Sequence, residues 1–181
     1  MTRVAAGARL HFGFQNLSLA RERLYGGVGV ALDEPRVVIE AAPADAVHCD
    51  DATVAEHART AVDLLDVSGV DLTVVERLPR HVGLGSGTQL AMATLAAVAA
   101  AHDRDPQLRD RAPALGRGGR SGVGVAAAEG GGFVVDGGHP TELFTAAPPA
   151  AGASTVPPVT ARHELPSDWR FVVVFPDTDP G

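Results

Sequence analysis

Pro79-Arg-His-Val-Gly-Leu-Gly-Ser-Gly-Thr-Gln89 lies between a strand-like run, 70–78, and an alanine-rich helical run, 90–101. A strand, a glycine-rich turn and a helix start, in that order, are typical of an anion site, because the free N–H groups of the helix face the ligand. The glycines let the backbone turn tightly, and Ser86 and Thr88 are good N-cap residues. The stretch therefore predicts a phosphate or diphosphate site. Its predicted residues are Gly83, Leu84, Gly85, Ser86, Gly87, Thr88 and Gln89.

The turn fits neither of two common nucleotide motifs. It has no lysine, which a Walker A loop requires, and its glycine spacing differs from that of the dinucleotide-binding fingerprint. An ordinary glycine-rich turn before a core helix is the alternative that the residues leave open.

The composition limits the classes of protein to which this chain can belong. The chain has 181 residues, of which 45% are hydrophobic, enough for one sizeable domain or one domain plus a fragment. The single cysteine cannot form an internal disulfide, which indicates a reducing cytoplasm. A net charge of −7 leaves no basic footprint for nucleic acid, and no apolar run is long enough to span a bilayer. We expect a soluble cytoplasmic protein that binds neither nucleic acid nor membranes.

All 15 basic residues are arginine. The absence of lysine excludes lysine-based catalysis, including Schiff bases. A GC-rich genome and a salt-loving host are both compatible with this acidic, lysine-free composition.

Periodicity and turn residues predict the order of the elements. Strands are predicted at 4–14, 26–32, 36–42, 46–49, 70–78, 132–136, 159–165 and 169–175. Helices are predicted at 53–67, 86–102 and 106–115, with a second glycine-rich loop at 116–124 opening a short helix. The stretch 146–158 is rich in Ala, Pro, Gly, Ser and Thr, which is typical of a linker. A buried-type strand at the very end of the chain suggests that more sequence would normally follow.

Pro79 and the run Gly83-Leu84-Gly85-Ser86 resemble the phosphate motif of the GHMP superfamily, Pro-x-x-x-Gly-Leu-Gly-Ser-Ser-Ala. The superfamily is named for galactokinase, homoserine kinase, mevalonate kinase and phosphomevalonate kinase. The continuation Gly87-Thr88-Gln89 departs from the kinases and resembles one branch, the β-ribofuranosylaminobenzene 5′-phosphate synthases.

Four further segments resemble elements of that branch, and they occur in its order. They are Arg9–Phe14, Tyr25–Val30, Gly116–Gly124 and Gly131–His139. The resemblance implies an α+β fold with a ribosomal protein S5 domain 2-like N-terminal domain and a ferredoxin-like C-terminal domain. We expect the first domain at 1–145, a linker at 146–158 and only the start of the second domain at 159–181.

The second glycine loop separates two candidate functions. Kinases of the superfamily carry Ser-Gly-x-Asp there, and the aspartate acts on the acceptor hydroxyl. This chain has Ser121-Gly122-Val123-Gly124, and glycine has no group that accepts a proton. Arg117 and Arg120 flank the loop and suit phosphate oxygens.

The resemblance to the synthase branch implies a decarboxylating glycosyl transfer. The substrates are 5-phosphoribosyl 1-diphosphate and a para-substituted benzoate, either 4-aminobenzoate or 4-hydroxybenzoate. Diphosphate and carbon dioxide leave, and the product belongs to tetrahydromethanopterin biosynthesis, which implies an archaeal source. Mg²⁺ is expected to bridge diphosphate oxygens. An ATP-dependent small-molecule kinase and an inactive phosphate-binding fragment are the alternatives, and a homodimer is compatible with either function.

Candidate roles follow from the motifs. The predicted catalytic residues are His11, His81, Arg117 and Arg120. Ser121 joins the phosphate-binding set, Arg9, Gly26 and Gly27 are predicted to bind substrate, and Ser86 and Glu129 are predicted to bind the metal. The other histidines, His48, His57, His102 and His163, are predicted at the surface, and His139 is left unassigned.

Overall fold

The chain is seen in a computed structural model that describes residues 1–147 and 150–174. The strands are β1 (Thr2–Asn16), β2 (Arg23–Pro43), β3 (Val47–His48), β4 (Val70–Glu76), β5 (Phe133–Asp136), β6 (His139–Pro140) and β7 (Val159–His163). The helices are α1 (Ala52–Leu65), α2 (Ser86–Ala101), α3 (Leu108–Arg111) and α4 (Val123–Gly130), with 3₁₀ turns at Ala112–Leu115 and Thr141–Leu143. The predicted α+β class is confirmed.

Strand β2 is the centre of the sheet. It pairs antiparallel with β1 along most of its length, while its two halves pair with β5 and β4. Strands β3 and β7 extend the sheet beyond β4 and β5. The first half of β2 thus pairs both with β5 and with the part of β1 that contains Arg9 and His11.

The sequence predicts two strands where the structure has the single strand β2. The break predicted between the strands at 26–32 and 36–42 is therefore wrong. The pairing with β1 shifts there, from Gly7 with Arg36 to Arg9 with Ala31, so the extra residues form an irregularity inside one long strand. Such an insertion interrupts the ladder and bends the strand without ending it.

The core lies between the sheet and the first two helices. Strand β4 alternates buried and exposed residues at its start, as a strand with one face on a core does. Helix α2 is buried along nearly its whole length, between the sheet, α1 and α4. Its alanines permit this close approach from several sides, and they also favour the helix itself.

Two predicted elements differ from the structure. The helix predicted at 106–115 is one turn of α-helix followed by a 3₁₀ turn, with Pro113 in the second. Proline lacks the N–H that a continuous α-helix would need. Residues 169–174 form no strand, although their β propensity is high, because no described strand pairs with them. Phe175 lies outside the described residues.

The stretch predicted as a linker lies against the second glycine loop. Val156 packs on Gly118, and the carbonyl of Pro158 accepts a hydrogen bond from the N–H of Gly137. Strand β7 then joins the edge of the main sheet beside β5. The domain boundaries stay a prediction.

Within the described part of the chain, none of the helices has the length and apolar character needed to cross a membrane.

Candidate functional site

The predicted phosphate loop lines a cavity of about 360 Å³ at the start of α2, which we call the phosphate cavity after that prediction. Residues of the loop and of α2 meet Arg117 of the second glycine loop there. The predicted residues in the lining are His81, Gly83, Gly85, Ser86, Gly87, Thr88 and Arg117. Leu84 and Gln89 do not line it, because both side chains are buried behind the loop.

Gly85 is the N-cap of helix α2, which corrects the expectation that Ser86 or Thr88 has this position. Gly85 has φ +74°, in the left-handed region, and its carbonyl accepts from the N–H groups of Thr88 and Gln89. A glycine cap has no side chain to occupy the helix end. The N–H groups of Ser86 and Gly87 have no partner among the described residues and stay available to an anion.

Two arginines approach this loop from different elements. Arg9 of β1 donates from Nη1 to the carbonyl of Gly83 at 3.1 Å, and a Cβ on Gly85 would lie 2.9 Å from its Cγ. Arg117 approaches Gly87, where a Cβ would lie 3.3 Å from its Nη1. Burial lowers the pKa of both guanidinium groups. Glycine at positions 85 and 87 is what allows both cations to reach the loop backbone.

The Nε atoms of Arg9 and Arg117 are buried and have no hydrogen-bond partner among the described residues. A buried N–H without an acceptor costs about 1–3 kcal/mol, so this arrangement persists only where something else in the molecule favours it. Arg117 lines the cavity and Arg9 does not, so an anion bound in the cavity would offer its oxygens to Arg117.

Asp136, at the end of β5, joins the second glycine loop to β1. Its carboxylate is fully buried and accepts from Ser121 Oγ at 3.0 Å, Gly122 N at 2.8 Å and Gly138 N at 2.9 Å. Ser121 Oγ lies 3.2 Å from Nε2 of His11. Because Ser121 donates its proton to Asp136, His11 donates through Nε2 and keeps Nδ1 as an acceptor.

Gly27 makes room for this network. A Cβ on Gly27 would lie 2.4 Å from Ser121 Oγ and 2.7 Å from Asp136 Oδ2. Gly26, with φ +73°, packs against the carbonyl of Asp136. Both glycines, predicted to bind substrate, lie beside the Asp136 carboxylate rather than in the lining of the phosphate cavity.

The position that carries aspartate in the kinases faces the phosphate loop. Gly124 lies in α4, and a Cβ there would contact Thr88 Cγ2 at 3.0 Å. The carbonyl of Gly124 accepts from Nε2 of Gln89 at 2.9 Å. Helices α2 and α4 therefore meet closely at this point, and Gly124 presents no side chain to Thr88.

Arg120 lines a different cavity, of about 440 Å³, together with Gly119 of the second glycine loop. Tyr25, His139 and Phe144 share this lining, and we call it the Arg120 cavity. The two arginines predicted to act together thus line separate cavities.

Two further predicted residues have different surroundings. His81 is exposed, has φ +62° and lines the phosphate cavity. Glu129 is ion-paired with Arg109 at 2.5 Å and does not line that cavity. Among the residues that the structure describes, no three His, Cys, Asp or Glu side chains form a metal-binding group. Metal binding by Ser86 and Glu129 stays a prediction.

Sequence reasoning missed two residues. His57, predicted at the surface, is 9% exposed on the inner face of α1. Burial and the charge of Arg117 lower its pKa. The helical spacing of Val54, His57 and Ala61 is the signal that would have found it. Asp136 is the second of them, because nothing local to it in the sequence indicates its three donors.

Acid is expected to destabilise the protein through its buried histidines. Burial is the largest cause that lowers the pKa of His11, His57 and His139. The unfolded chain keeps an ordinary histidine pKa of about 6.5 and so binds protons first as pH falls. The free energy of unfolding should therefore decrease from about pH 7 downward until the folded pKa values are passed.

Urea unfolding at several pH values between 7 and 5 measures this. The variant His57→Gln should show a shallower decrease than the native chain. The exposed His48→Gln is the matched control and should follow the native curve. A native curve that rises toward pH 5 would contradict the expectation.

Residues 47–132 match the family described as GHMP kinases N terminal domain. This segment is similar to that family, and the loop, α2 and α4 lie within it.

The curated relatives belong to the branch that the motifs predict. The chain is 36% identical over 187 residues to the beta-ribofuranosylphenol 5′-phosphate synthase of Methanothermobacter thermautotrophicus, covering 95% of this chain and 57% of that protein. It is 32% identical over 192 residues to the enzyme of the same name from Methanocaldococcus jannaschii, covering 93% of this chain and 58% of the relative. The predicted branch is confirmed, and the chain spans a little over half the length of these relatives.

Solved structures show the same fold. Streptococcus pneumoniae phosphomevalonate kinase, in complex with phosphomevalonate and AMPPNP, aligns with a TM-score of 0.59 at 15% identity. The alignment covers 78% of this chain and 51% of the kinase. At this identity the likeness concerns the fold alone.

Proposed function

We propose that this chain forms the phosphate-binding part of a synthase that joins 5-phosphoribosyl 1-diphosphate to a para-substituted benzoate. The observation that carries the proposal is the pair of half-buried arginines, Arg9 and Arg117, whose buried Nε atoms lack acceptors among the described residues. Both lie beside a glycine loop that resembles the synthase motif, and Arg117 lines the cavity. The curated relatives bear the name of such a synthase.

The charge of the cavity supports an anionic ligand. Arg77, Arg80 and Arg117 line it, and none of its described lining residues is Asp or Glu. Arg77 is already paired with Asp51, which leaves Arg80 and Arg117 to meet a ligand. A diphosphate leaving group carries several negative charges, and both cations and the N–H groups at the start of α2 would stabilise it.

The proposed reaction balances without an oxidant or reductant. The C1–O bond of the phosphoribosyl donor breaks, and its electron pair leaves with diphosphate. The ring carbon that bears the carboxylate attacks C1, and a C–C bond forms. The bond to the carboxylate then breaks, its electron pair restores the aromatic ring, and carbon dioxide leaves. Charge accumulates on diphosphate in the transition state, where preorganised N–H donors and arginines stabilise it.

Mg²⁺ fits the donor atoms of this cavity as an ion held mainly by the substrate. The lining offers the hydroxyls of Ser86 and Thr88, and Mg²⁺ prefers oxygen ligands and retains water and phosphate oxygens. Bound there, it would neutralise charge on the leaving diphosphate. Ser86 is the residue that we propose as its protein ligand.

A kinase is the second candidate, and Gly124 argues against it. A side chain at this position would begin 3.0 Å from Thr88, directed at the phosphate loop. Glycine supplies no base to an acceptor hydroxyl. The run Gly87-Thr88-Gln89 also differs from the kinase motif, and its glycine lets Arg117 approach the loop at Gly87.

The relatives' name favours one of the two benzoates. Transfer to 4-hydroxybenzoate with loss of carbon dioxide yields a ribofuranosylphenol phosphate, whereas 4-aminobenzoate yields an aniline. We therefore propose 4-hydroxybenzoate as the acceptor, since both relatives are named for the phenol.

Two measurements on the purified chain test the proposal. Calorimetric titration in high salt with Mg²⁺ should show that phosphoribosyl diphosphate binds at least about tenfold more tightly than ATP, which is about 1.4 kcal/mol. Carboxyl-labelled 4-hydroxybenzoate should release labelled carbon dioxide only with the phosphoribosyl donor. Tighter ATP binding with ADP formation would favour the kinase. Donor binding without carbon dioxide would indicate that the chain is an inactive phosphate-binding fragment.

A further inference from the structure

We infer that the Arg120 cavity binds the aromatic ring of the second substrate, a planar aromatic carboxylate. This inference rests on the proposed function and names the place where its acceptor lies. It separates the roles of two arginines that the sequence groups together, since Arg117 would hold diphosphate and Arg120 the benzoate.

The size and lining of the cavity suit a small aromatic ligand. Its volume of about 440 Å³ lies within the usual range of 300–1,000 Å³ for small-molecule sites. Leu24, Tyr25, Leu143 and Phe144 supply apolar and aromatic surface. Offset or edge contacts between such side chains and a bound ring contribute more binding free energy than the buried area alone provides.

Arg120 supplies the charge that selects a carboxylate. Its only hydrogen bond among the described residues is a long one, 3.5 Å from Nη2 to the carbonyl of Ala146. No described lining residue is Asp or Glu, so the guanidinium has no internal carboxylate to pair with. A fork of N–H donors beside an apolar wall is the arrangement that binds a carboxylate on a ring.

His139 adds a neutral polar group to the same lining. Its Nε2 lies 3.3 Å from the carbonyl of Gly118, which only accepts, so Nε2 carries the proton. Burial lowers the pKa of His139, which keeps the ring neutral near pH 7. Nδ1 then remains as an acceptor, and this suits the para hydroxyl of the proposed acceptor, which is a donor.

Tyr25, which lines this cavity, has a strained backbone conformation. Tyr25 has φ +70°, a conformation that is uncommon for a bulky residue. Its pairing with Asn16 in β1 and its ring contact with Phe14, at 5.3 Å between centroids, hold it there. Backbone strain at such a residue persists where the surroundings over-determine it, and such residues cluster at ligand sites.

The two cavities are lined by neighbouring residues of one loop. Arg117 and Arg120 are three residues apart, so their Cα atoms are at most about 11 Å apart even in an extended chain. The second glycine loop contributes Arg117 to one cavity and Gly119 and Arg120 to the other. A phosphoribosyl donor that extends from the phosphate loop along this shared loop would bring C1 toward the Arg120 cavity.

The chain contains its own reporter for the test, because Tyr25 is its only tyrosine. Carbon-13 labelling of tyrosine gives the ring signals of Tyr25 alone in an NMR spectrum. Titration of the full chain with 4-hydroxybenzoate should shift these signals saturably. The uncharged 4-hydroxybenzyl alcohol should bind at least about tenfold more weakly, because it lacks the carboxylate.

Two variants locate the site. R120Q should weaken 4-hydroxybenzoate binding at least about tenfold, which is the loss of a charge-assisted hydrogen bond. R104Q, at an exposed arginine outside both cavities, is the matched control and should bind as the native chain does. Unmoved Tyr25 signals, or native affinity in R120Q, would overturn the inference. So would a shift caused by ATP but not by the benzoate, since it would assign the cavity to a nucleoside.

A parallel titration separates this inference from the proposed function. Inorganic diphosphate with Mg²⁺, followed by phosphorus NMR, reports the phosphate loop independently of Tyr25. Diphosphate binding without a benzoate effect on Tyr25 would reject the Arg120 cavity as the acceptor site and leave the proposed function standing. If diphosphate fails to bind, the proposed function itself fails.

Discussion

Replacement of Asp136 by alanine is expected to lower the free energy of unfolding by about 3–5 kcal/mol. The carboxylate accepts from three donors, and two of them, the N–H groups of Gly122 and Gly138, are buried. Without the carboxylate, each buried N–H loses its partner at a cost of about 1–3 kcal/mol. Both glycine-rich segments that meet at Asp136 should loosen together.

Urea unfolding measures this change through the midpoint at a constant m-value. Asp136→Asn should have an intermediate effect, because it keeps one acceptor oxygen and places an NH₂ group against a donor. Asp63→Ala, at an exposed position on α1, is the matched control and should stay within about 0.5 kcal/mol of the native chain. A loss below about 1 kcal/mol in Asp136→Ala would contradict the assigned role.

Replacement of Arg117 by glutamine is expected to reduce diphosphate affinity at least about 30-fold, a loss of about 2 kcal/mol or more. Its guanidinium lies against Gly87 and has a buried Nε without an acceptor among the described residues. Arg117→Lys should recover part of the affinity, since it keeps the charge and loses the planar fork. Calorimetric titration with Mg²⁺ and diphosphate measures both variants.

Replacement of Arg117 should not lower the stability of the ligand-free protein. A buried cation without a partner is costly, so Arg117→Met is expected to leave the free energy of unfolding unchanged or to raise it. Loss of affinity together with retained stability would identify Arg117 as a ligand-binding residue. If Arg117→Met unfolds the chain, or if Arg117→Gln binds diphosphate normally, the guanidinium has a structural role instead. Arg104→Gln again serves as the control.

Prediction from sequence worked best where a pattern is local. The order of strand, glycine turn and alanine-rich helix identified the phosphate loop and placed α2 within one residue of its observed ends. The motifs of the second glycine loop predicted a loop followed by a short helix, and α4 follows it. In these segments the backbone conformation depends on neighbouring residues, so their identity and spacing carry the information.

Only the tertiary structure showed how the loops are joined. Arg117 and Arg120 lie three residues apart and line different cavities, because side chains in an irregular loop follow no fixed period. Asp136 binds groups from a loop 14 residues earlier in the chain. Pairing of β2 with β1 on both sides of the Asp-Glu-Pro triplet makes one strand where the sequence predicts two.

The sequence by itself therefore determined the resemblance to the family and the glycine turn before α2, since both depend on contiguous residues. The burial of His57 and of the Nε atoms of Arg9 and Arg117 was decided by packing, as were the capping of α2 by Gly85 and the contacts of Asp136. Each of these depends on atoms that long stretches of chain bring together. Burial and hydrogen bonding between distant segments leave no periodic signal in the order of residues.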